Sequence, residues 1–273
     1  MTDRYAVVGN PIAHSKSPII HAIFAKATNQ DLTYDRLLAP LDGFLKEIDL
    51  FKSTGGCGLN ITVPFKLEAF EYAATQGRLT ERAQLAGAVN TLHFSDTGVI
   101  GDNTDGAGLV RDITINQATS LTGKRVLLIG AGGASRGALG PILDEQPGKL
   151  VIVNRTKAKA EELAELCKSE IVSGIGFDEL TEHYDIIINA SSSSLSAEKL
   201  PLPTTVFEAC ELAYDMMYAA EPTIFMQQAA TAGAKKTIDG IGMLIEQAAE
   251  AFYVWRHVRP PTTSVFETLR PST

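Results

Sequence analysis

A chain of 273 residues is long enough for one or two domains at about 150 residues each, with a core that needs no disulfide or metal staple. Hydrophobic residues make up 45% and charged residues 21%, which excludes a disordered chain. The 24 Lys and Arg against 32 Asp and Glu leave a net charge of −8. That balance argues against salt-driven binding to nucleic acid or an anionic membrane, but a few local cations could still hold a small anion.

The chain reads as short β-rich runs alternating with helical patterns. Tyr5–Val8 is a strand closed by Gly9, and Ser17 with Pro18 predicts an N-cap and first helical residue. Ile19, Ile23, Phe24 and Ala27 follow at helical spacing, and Leu32 to Leu38 reads as a strand. Phe44, Leu45, Ile48 and Phe51 form the stripe of a second helix. Gly58 to Thr62 is a strand, and Pro64 is expected to open a helix through about Ala74. Ala88 to Phe94 and Val99 to Asp102 read as strands around a turn, followed by a helix from Gly106 to Gln117.

A second alternating block starts at Lys124. Val126–Ile129 is a continuous apolar run, as a strand buried on both faces requires. Further strands are expected at Leu150–Val153, Asp185–Asn189, Glu211–Asp215 and Lys236–Ile238. Helices are expected after the glycine-rich turn, from Thr156 to Cys167, Thr223 to Ala232 and Gly240 to Val258. Pro141 falls inside the first of these, where a kink rather than a helix end is expected because Ile142 and Leu143 continue the apolar pattern. The three cysteines, Cys57, Cys167 and Cys210, lack CxxC spacing, so neither a disulfide framework nor a zinc site is expected. With no signal-peptide pattern at the N-terminus and no run near ~18 apolar residues, a cytoplasmic protein is expected.

Gly130-Ala131-Gly132-Gly133-Ala134-Ser135 follows an apolar strand and opens a helix, the context that a dinucleotide-binding turn requires. Glycines let backbone N–H groups approach a pyrophosphate, and the helix N-terminus faces the anion. The third glycine of GxGxxG falls at Ser135. NAD-binding folds carry Asp or Glu at the end of the next strand. Here Asn154-Arg155-Thr156, with Lys159 one turn on, stands in that place, a set that would attract a 2′-phosphate. The sequence therefore favours NADP(H) over NAD, although Arg155 and Lys159 could also be an ordinary solvated face.

Three clusters in the first block carry polar residues at element ends: Gly9 to Pro18 with Ser15 and Ser17, Asn60 to Lys66 with Thr62, and Gly101 to Gly106 with Asp105. Ser17 and Asp105 could each be a simple N-cap. Lys66 is less ordinary, because an ammonium in the first turn of a helix opposes the helix dipole. A carboxylate such as Asp105 beside it would give a lysine suited to general acid–base work.

Together the motifs GNPIAHSKSP, NITVPFK, GAVNTL, DNTDG, GAGGASRG, NRT, YDMMY and DGIGMLIEQAA closely resemble the shikimate dehydrogenase family, in order from Val8 to about Phe252. The resemblance implies an α/β fold: an N-terminal α/β substrate domain and a Rossmann-like, doubly wound NADP-binding domain, with a cleft between them. It implies domains at 1–105 plus a returning 241–273, and at 106–240. The implied reaction is the reversible NADPH-dependent reduction of 3-dehydroshikimate to shikimate, in the pathway to aromatic amino acids. Carried over by motif, Lys66 and Asp105 are the catalytic pair. Ser15, Ser17 and Tyr218 are similar to carboxylate-binding residues, and Thr62, Asn90 and Gln247 to hydroxyl-binding ones. Gly130 to Ala134, Asn154, Arg155, Thr156 and Lys159 would hold NADP, with Met216 and Gly240 flanking the nicotinamide.

Two positions depart from the family pattern. Lys159 stands where members often carry arginine, and Ser191 to Ser194 replaces a Thr/Ser–glycine loop. The partners expected are small molecules, with no nucleic acid, membrane or metal, and a monomer or homodimer. The alternatives are a quinate/shikimate dehydrogenase using NAD and a ligand-binding regulator without turnover.

Overall fold

The computed structural model describes residues 2–195 and 198–269. These form two compact units, one of residues 1–108 and 245–273 and the other of residues 109–244.

In the first unit, β1 (Asp3–Gly9), α1 (Ser17–Ala27), β2 (Leu32–Leu38), α2 (Phe44–Ser53), β3 (Gly56–Ile61) and α3 (Lys66–Gln76) alternate. Then come β4 (Gly77–Leu79), α4 (Glu81–Ala86), β5 (Thr91–Ser95), β6 (Gly98–Asp102) and α5 (Asp105–Arg111). The sheet order is β2-β1-β3-β5-β6-β4, parallel between β1 and its two neighbours and antiparallel across β3, β5 and β6. One face packs Val8, Leu59, Ile61 and Leu92 against Phe44, Ile48 and Phe65. The other packs Tyr5, Val7 and Tyr34 against Ala251 and Trp255 of the returning chain. The Trp255 ring stacks on Tyr5 at 4.6 Å, and its indole N–H donates to the Leu92 carbonyl at 3.0 Å.

In the second unit, β7 (Arg125–Ile129), α6 (Gly133–Asp144), β8 (Lys149–Val153), α7 (Lys157–Leu166) and β9 (Val172–Ile175) form one half. The other half is β10 (Ile186–Asn189), β11 (Leu212–Asp215), α8 (Ile224–Thr231) and β12 (Thr237–Ile238). The chain ends in α9 (Ile241–Arg256) and α10 (Thr263–Leu269), so the unit boundaries fall inside α5 and α9. The six strands are all parallel, in the order β12-β11-β10-β7-β8-β9, the doubly wound dinucleotide-fold order. Alternate residues face opposite cores: Val126, Leu128, Ile186 and Ile188 to one side, Leu127, Ile129, Val151 and Ile187 to the other. This double burial accounts for the unbroken apolar runs in the sequence.

Several local expectations change. Ser17 is the first helical residue rather than the N-cap; Lys16 takes that place with no side-chain cap. Ser15 Oγ instead accepts the Ser17 N–H at 3.3 Å. Pro64 follows a cis peptide in the turn, and α3 begins at Lys66. The helix expected over 106–117 is α5 followed by a π-helical stretch, Asp112–Asn116. There the buried Asp112 carboxylate accepts from Tyr214, Asn116 and Gln117. Helix α6 runs through Pro141 without ending.

Candidate functional site

The first unit's polar centre is built at element ends. Lys66 opens α3 and Asp105 opens α5, and the Lys66 ammonium donates to Asp105 Oδ2 at 2.5 Å. The two side chains are 33% and 19% exposed, so the pair is shielded yet open to a ligand. Asp105 gives the Lys66 ammonium an anionic partner at a helix start, where the helix dipole is unfavourable to a cation. The other Asp105 oxygen accepts from the Asn90 amide at 2.8 Å. That amide also reaches Thr104 Oγ1 at 3.0 Å and Gln247 Oε1 at 3.5 Å. Two amide hydrogens thus serve three acceptors, and Gln247 makes the longest contact. Lys66, Asp105, Asn90 and Gln247, far apart in sequence, are one connected group.

A buried chain of hydrogen bonds extends this group. Tyr34 Oη donates to Asn60 Oδ1 at 2.7 Å, Asn60 donates to Thr91 Oγ1 at 3.1 Å, and Thr91 donates to Asn90 Oδ1 at 2.9 Å. At the Tyr34 end, burial raises the phenol pKa well above its ordinary value, against an opposing hydrogen bond with Ser17. Ser15 Oγ donates to Ser17 Oγ at 3.2 Å, and Arg36 fixes the Ser15 carbonyl with two N–H donors at 2.6 and 3.1 Å. The Thr62 methyl lies where Gly9 has no Cβ; one built there would be 2.5 Å away. Among the described residues, no direct hydrogen bond joins the Thr62 hydroxyl to the Lys66 group. Beneath the serines, His21 is fully buried and stacked on Tyr34 at 4.1 Å, and neither ring nitrogen has a hydrogen-bond partner. Sequence reasoning singled out neither Tyr34, Asn60, Thr91 nor His21. Asn60 offered a signal, because it is an amide side chain among the apolar and glycine residues of strand β3.

In the second unit the strand order reverses between β7 and β10, and doubly wound folds bind ligands at that point, beyond the strand ends. Both ends are loops here. Gly130 closes β7 at φ +106, a conformation that favours glycine, and a Cβ on it would stand 3.3 Å from the Ser191 N of the loop after β10. Gly132 and Gly133 are different: a Cβ on either would meet nothing within 4 Å. Packing therefore does not require them, and the space beside the uncapped N-terminus of α6 stays open to an anion such as a pyrophosphate. Ser135, at the third glycine position, is buried and its hydroxyl has no partner.

The Gly130 N–H donates to the Val153 carbonyl at 2.8 Å, which brings the glycine turn beside the end of β8. Arg155, Thr156 and Lys159 are exposed there. Arg155 and Lys159 have no acidic partner among the described residues, whereas Lys157 between them is bound to Glu179 at 2.8 Å. The Asn154 amide is used internally, donating to the Thr156 carbonyl at 2.9 Å. These residues fit a dinucleotide with a 2′-phosphate.

Met216 and Gly240 are also neighbours: a Cβ on Gly240 would lie 2.1 Å from the Met216 carbonyl oxygen. Met216 packs in the core, and Tyr218 two residues on is 41% exposed. The serine loop is tied down by the fully buried Asp215, another residue sequence reasoning missed. Its carboxylate accepts from Ser194 at 2.5 Å, Thr223 at 2.6 Å, Asn189 at 3.1 Å and the Met217 N–H at 3.1 Å.

Comparison with known proteins gives a consistent result along the chain. Residues 7–92 match the family described as shikimate dehydrogenase substrate binding domain. Residues 112–199 match shikimate/quinate 5-dehydrogenase, and residues 240–270 match the shikimate 5′-dehydrogenase C-terminal domain. A shikimate dehydrogenase (NADP(+)) from Janthinobacterium sp. (strain Marseille) is 57% identical over 98% of this chain and 97% of its own. Among solved structures, the Ael1 enzyme from Pseudomonas putida is 47% identical with a TM-score of 0.95, covering 98% of both chains. The shikimate 5-dehydrogenase of Thermus thermophilus, in complex with NADP(H) and shikimate, is 27% identical with a TM-score of 0.86, covering 98% of this chain and 99% of its own. The chain belongs to the shikimate dehydrogenase family.

Proposed function

We propose that this protein catalyses the reversible, NADPH-dependent reduction of 3-dehydroshikimate to shikimate, a step toward the aromatic amino acids. The observation that carries the reading is the Lys66–Asp105 pair, joined to Asn90 and Gln247 in a chain of this family. The first unit binds the substrate and the second binds NADP(H). NADPH, when bound, supplies the hydride. Lys66 Nζ gives a proton to the carbonyl oxygen as it becomes a hydroxyl, and takes the proton back in the reverse direction. Asp105 holds the ammonium in place and accepts from a substrate hydroxyl. Ser15, Ser17 and Tyr218 bind the ring carboxylate. Thr62, Asn90 and Gln247 bind the ring hydroxyls, because hydroxyl and amide groups can donate or accept as the ring requires. The open face of Gly132 and Gly133 takes the pyrophosphate, with Arg155, Thr156 and Lys159 on the 2′-phosphate. Met216 and Gly240 flank the nicotinamide.

A reducing, cytoplasmic setting accompanies this reading, in keeping with three free cysteines, and so does a monomer or homodimer. The test is an NADP+-coupled absorbance assay with shikimate, repeated with NAD+ and with quinate. Shikimate with NADP+ is expected to give the highest kcat/KM. A preference for quinate with NAD+ would replace this reading with the broader quinate dehydrogenase one. Lys66→Ala is expected to lower kcat at least ~10²-fold with little change in shikimate binding; unimpaired turnover would remove Lys66 from the chemistry.

A further inference from the structure

The turn that carries Asp105 is anchored from behind by an ionic cluster. Arg82, on α4, places Nε 2.6 Å from Asp102 Oδ1 and Nη2 2.7 Å from Asp102 Oδ2, a two-pronged pairing. Its remaining nitrogen donates to Glu250 of α9 at 2.9 Å, and Arg259 donates to the other Glu250 oxygen. Asp102 is 3% exposed, and its Oδ1 also accepts from Thr80 Oγ1 at 2.6 Å and the Asn103 N–H at 2.7 Å. Burial is the largest single influence and opposes both charges, but the hydrogen-bonded and charged partners together outweigh it, so the Arg82 pKa is raised and the Asp102 pKa lowered.

From Asp102 the connection reaches the reacting group in three residues. Asn103 Oδ1 accepts the Asp105 N–H at 3.2 Å, and its amide holds the Ala88 carbonyl at 3.1 Å. Asp105 then binds Lys66 and Asn90. Glu250 stands one turn after Gln247 on α9, so one helix supports both ends of the cluster. A buried ion pair is a weak stabiliser compared with apolar side chains of the same shape, but a two-pronged guanidinium–carboxylate pair fixes orientation. Asp102, the last residue of β6, is where orientation matters: a rotation there would swing Asp105.

We infer that Arg82 is a positioning residue for the reaction: its clamp on Asp102 sets the Asp102–Asp105 turn and thereby holds Asp105 on Lys66. The inference rests on the functional reading above. Arg82 touches neither ligand in that reading; it acts through the turn.

The test compares wild type, Arg82→Lys and Arg82→Met in the shikimate–NADP+ assay, alongside thermal unfolding and crystal structures of the variants. R82M, which keeps the stem and loses the clamp, is expected to lower kcat by about 10²-fold, the cost of an ångström-scale misplacement. Its KM for NADP+ should stay within about two-fold, since the cofactor residues lie outside the cluster. R82K, which restores the charge without the fork, should recover part of the loss. In the R82M crystal, Asp105 should leave Lys66. A folded R82M with wild-type kcat, or with the Lys66–Asp105 pair intact, would overturn the proposal. So would equal losses in kcat and NADP+ affinity, the mark of general structural damage. If R82M does not fold, R82K alone decides: reduced kcat with unchanged KM for NADP+ supports the role, and wild-type kcat refutes it. If wild type itself does not oxidise shikimate, the functional reading fails, and the crystals alone still decide whether Arg82 holds Asp105 on Lys66.

Discussion

His21 shows how one residue can record the solvent pH without taking part in chemistry. It sits one turn beyond Ser17 on α1, fully buried against Tyr34. Burial pushes its pKa from 6.5 down to about 3. The folded imidazole is therefore neutral where the unfolded one binds a proton. Between about pH 6.5 and pH 3 the unfolded state holds the extra proton, so stability falls as pH falls through that window and is flat above it. At mid-window the slope from this group is about 1.4 kcal/mol per pH unit. His21→Phe keeps the aromatic stack and removes the titration. Urea unfolding of both proteins from about pH 8 to about pH 4 should give a shallower acid limb for the variant. A constant packing offset cancels in that comparison of slopes, and parallel limbs would show that His21 does not titrate across unfolding. At this scale the sequence exposed the charged and hydroxylated residues of the motifs, because their chemistry is unusual at helix starts. It hid His21, Tyr34 and Thr91. Each is polar or aromatic in a way that any core tolerates, and only the fold brings residues 17, 34, 60 and 91 onto one buried path.

Among the elements, strands β7, β8 and β10 of the second unit were legible because burial on both faces leaves an unbroken apolar run, whereas the partly buried β9 was not expected. Strand β4 was not. It is three residues, Gly-Arg-Leu, with no alternation, and exists because Gly77 can approach Val99, where a Cβ would lie 1.9 Å from the carbonyl oxygen. Helix α4, six residues long, was too short to show a period, although Thr80 caps it and Gly87 closes it in the left-handed region. Ala88 to Asn90, read as strand, are the exit from that helix; the ladder begins only at Thr91. A similar close approach joins α5 to α9. A Cβ on Gly108 would lie 2.5 Å from Gln247 N and 2.7 Å from Gln247 Cβ, both unable to rotate away. Gly108→Ala must therefore push the helices apart, an overpacking cost of about 1–3 kcal/mol. Asp105 lies one turn before Gly108 and Gln247 is the residue displaced, so KM for shikimate should rise while KM for NADP+ holds. Urea unfolding and steady-state kinetics measure the two effects. Wild-type stability together with wild-type KM would mean the helices absorb the methyl group without moving Gln247.

For the whole molecule, the net charge of −8 takes on a narrower meaning. Both proposed ligands are anions, so binding rests on a few placed groups: Arg155, Lys159, Lys66, the serine hydroxyls and the N-terminus of α6. The acidic remainder disfavours nonspecific polyanions. The two units also carry separate sheets and separate cores. The first is closed by a segment from the far end of the chain, with Trp255 against Tyr5, so it cannot be complete until residues 245–273 are made. Only the family resemblance implied a return, of residues 241–273; nothing in a helix's own period says which sheet it covers. Separate cores give each proposed ligand one unit that carries most of its proposed contacts, Tyr218 being the one substrate residue in the second unit. A ligand at about 100 times its Kd adds about 2.7 kcal/mol to the state that binds it. Scanning calorimetry should then resolve two transitions. NADP+ should raise the one belonging to residues 109–244, and shikimate the other. The Arg155→Ala variant identifies the first, because its NADP+-induced shift should shrink while the shikimate shift stays. A single transition moved equally by either ligand would show that the units melt as one, with their stabilities coupled through α5 and α9 despite their separate cores.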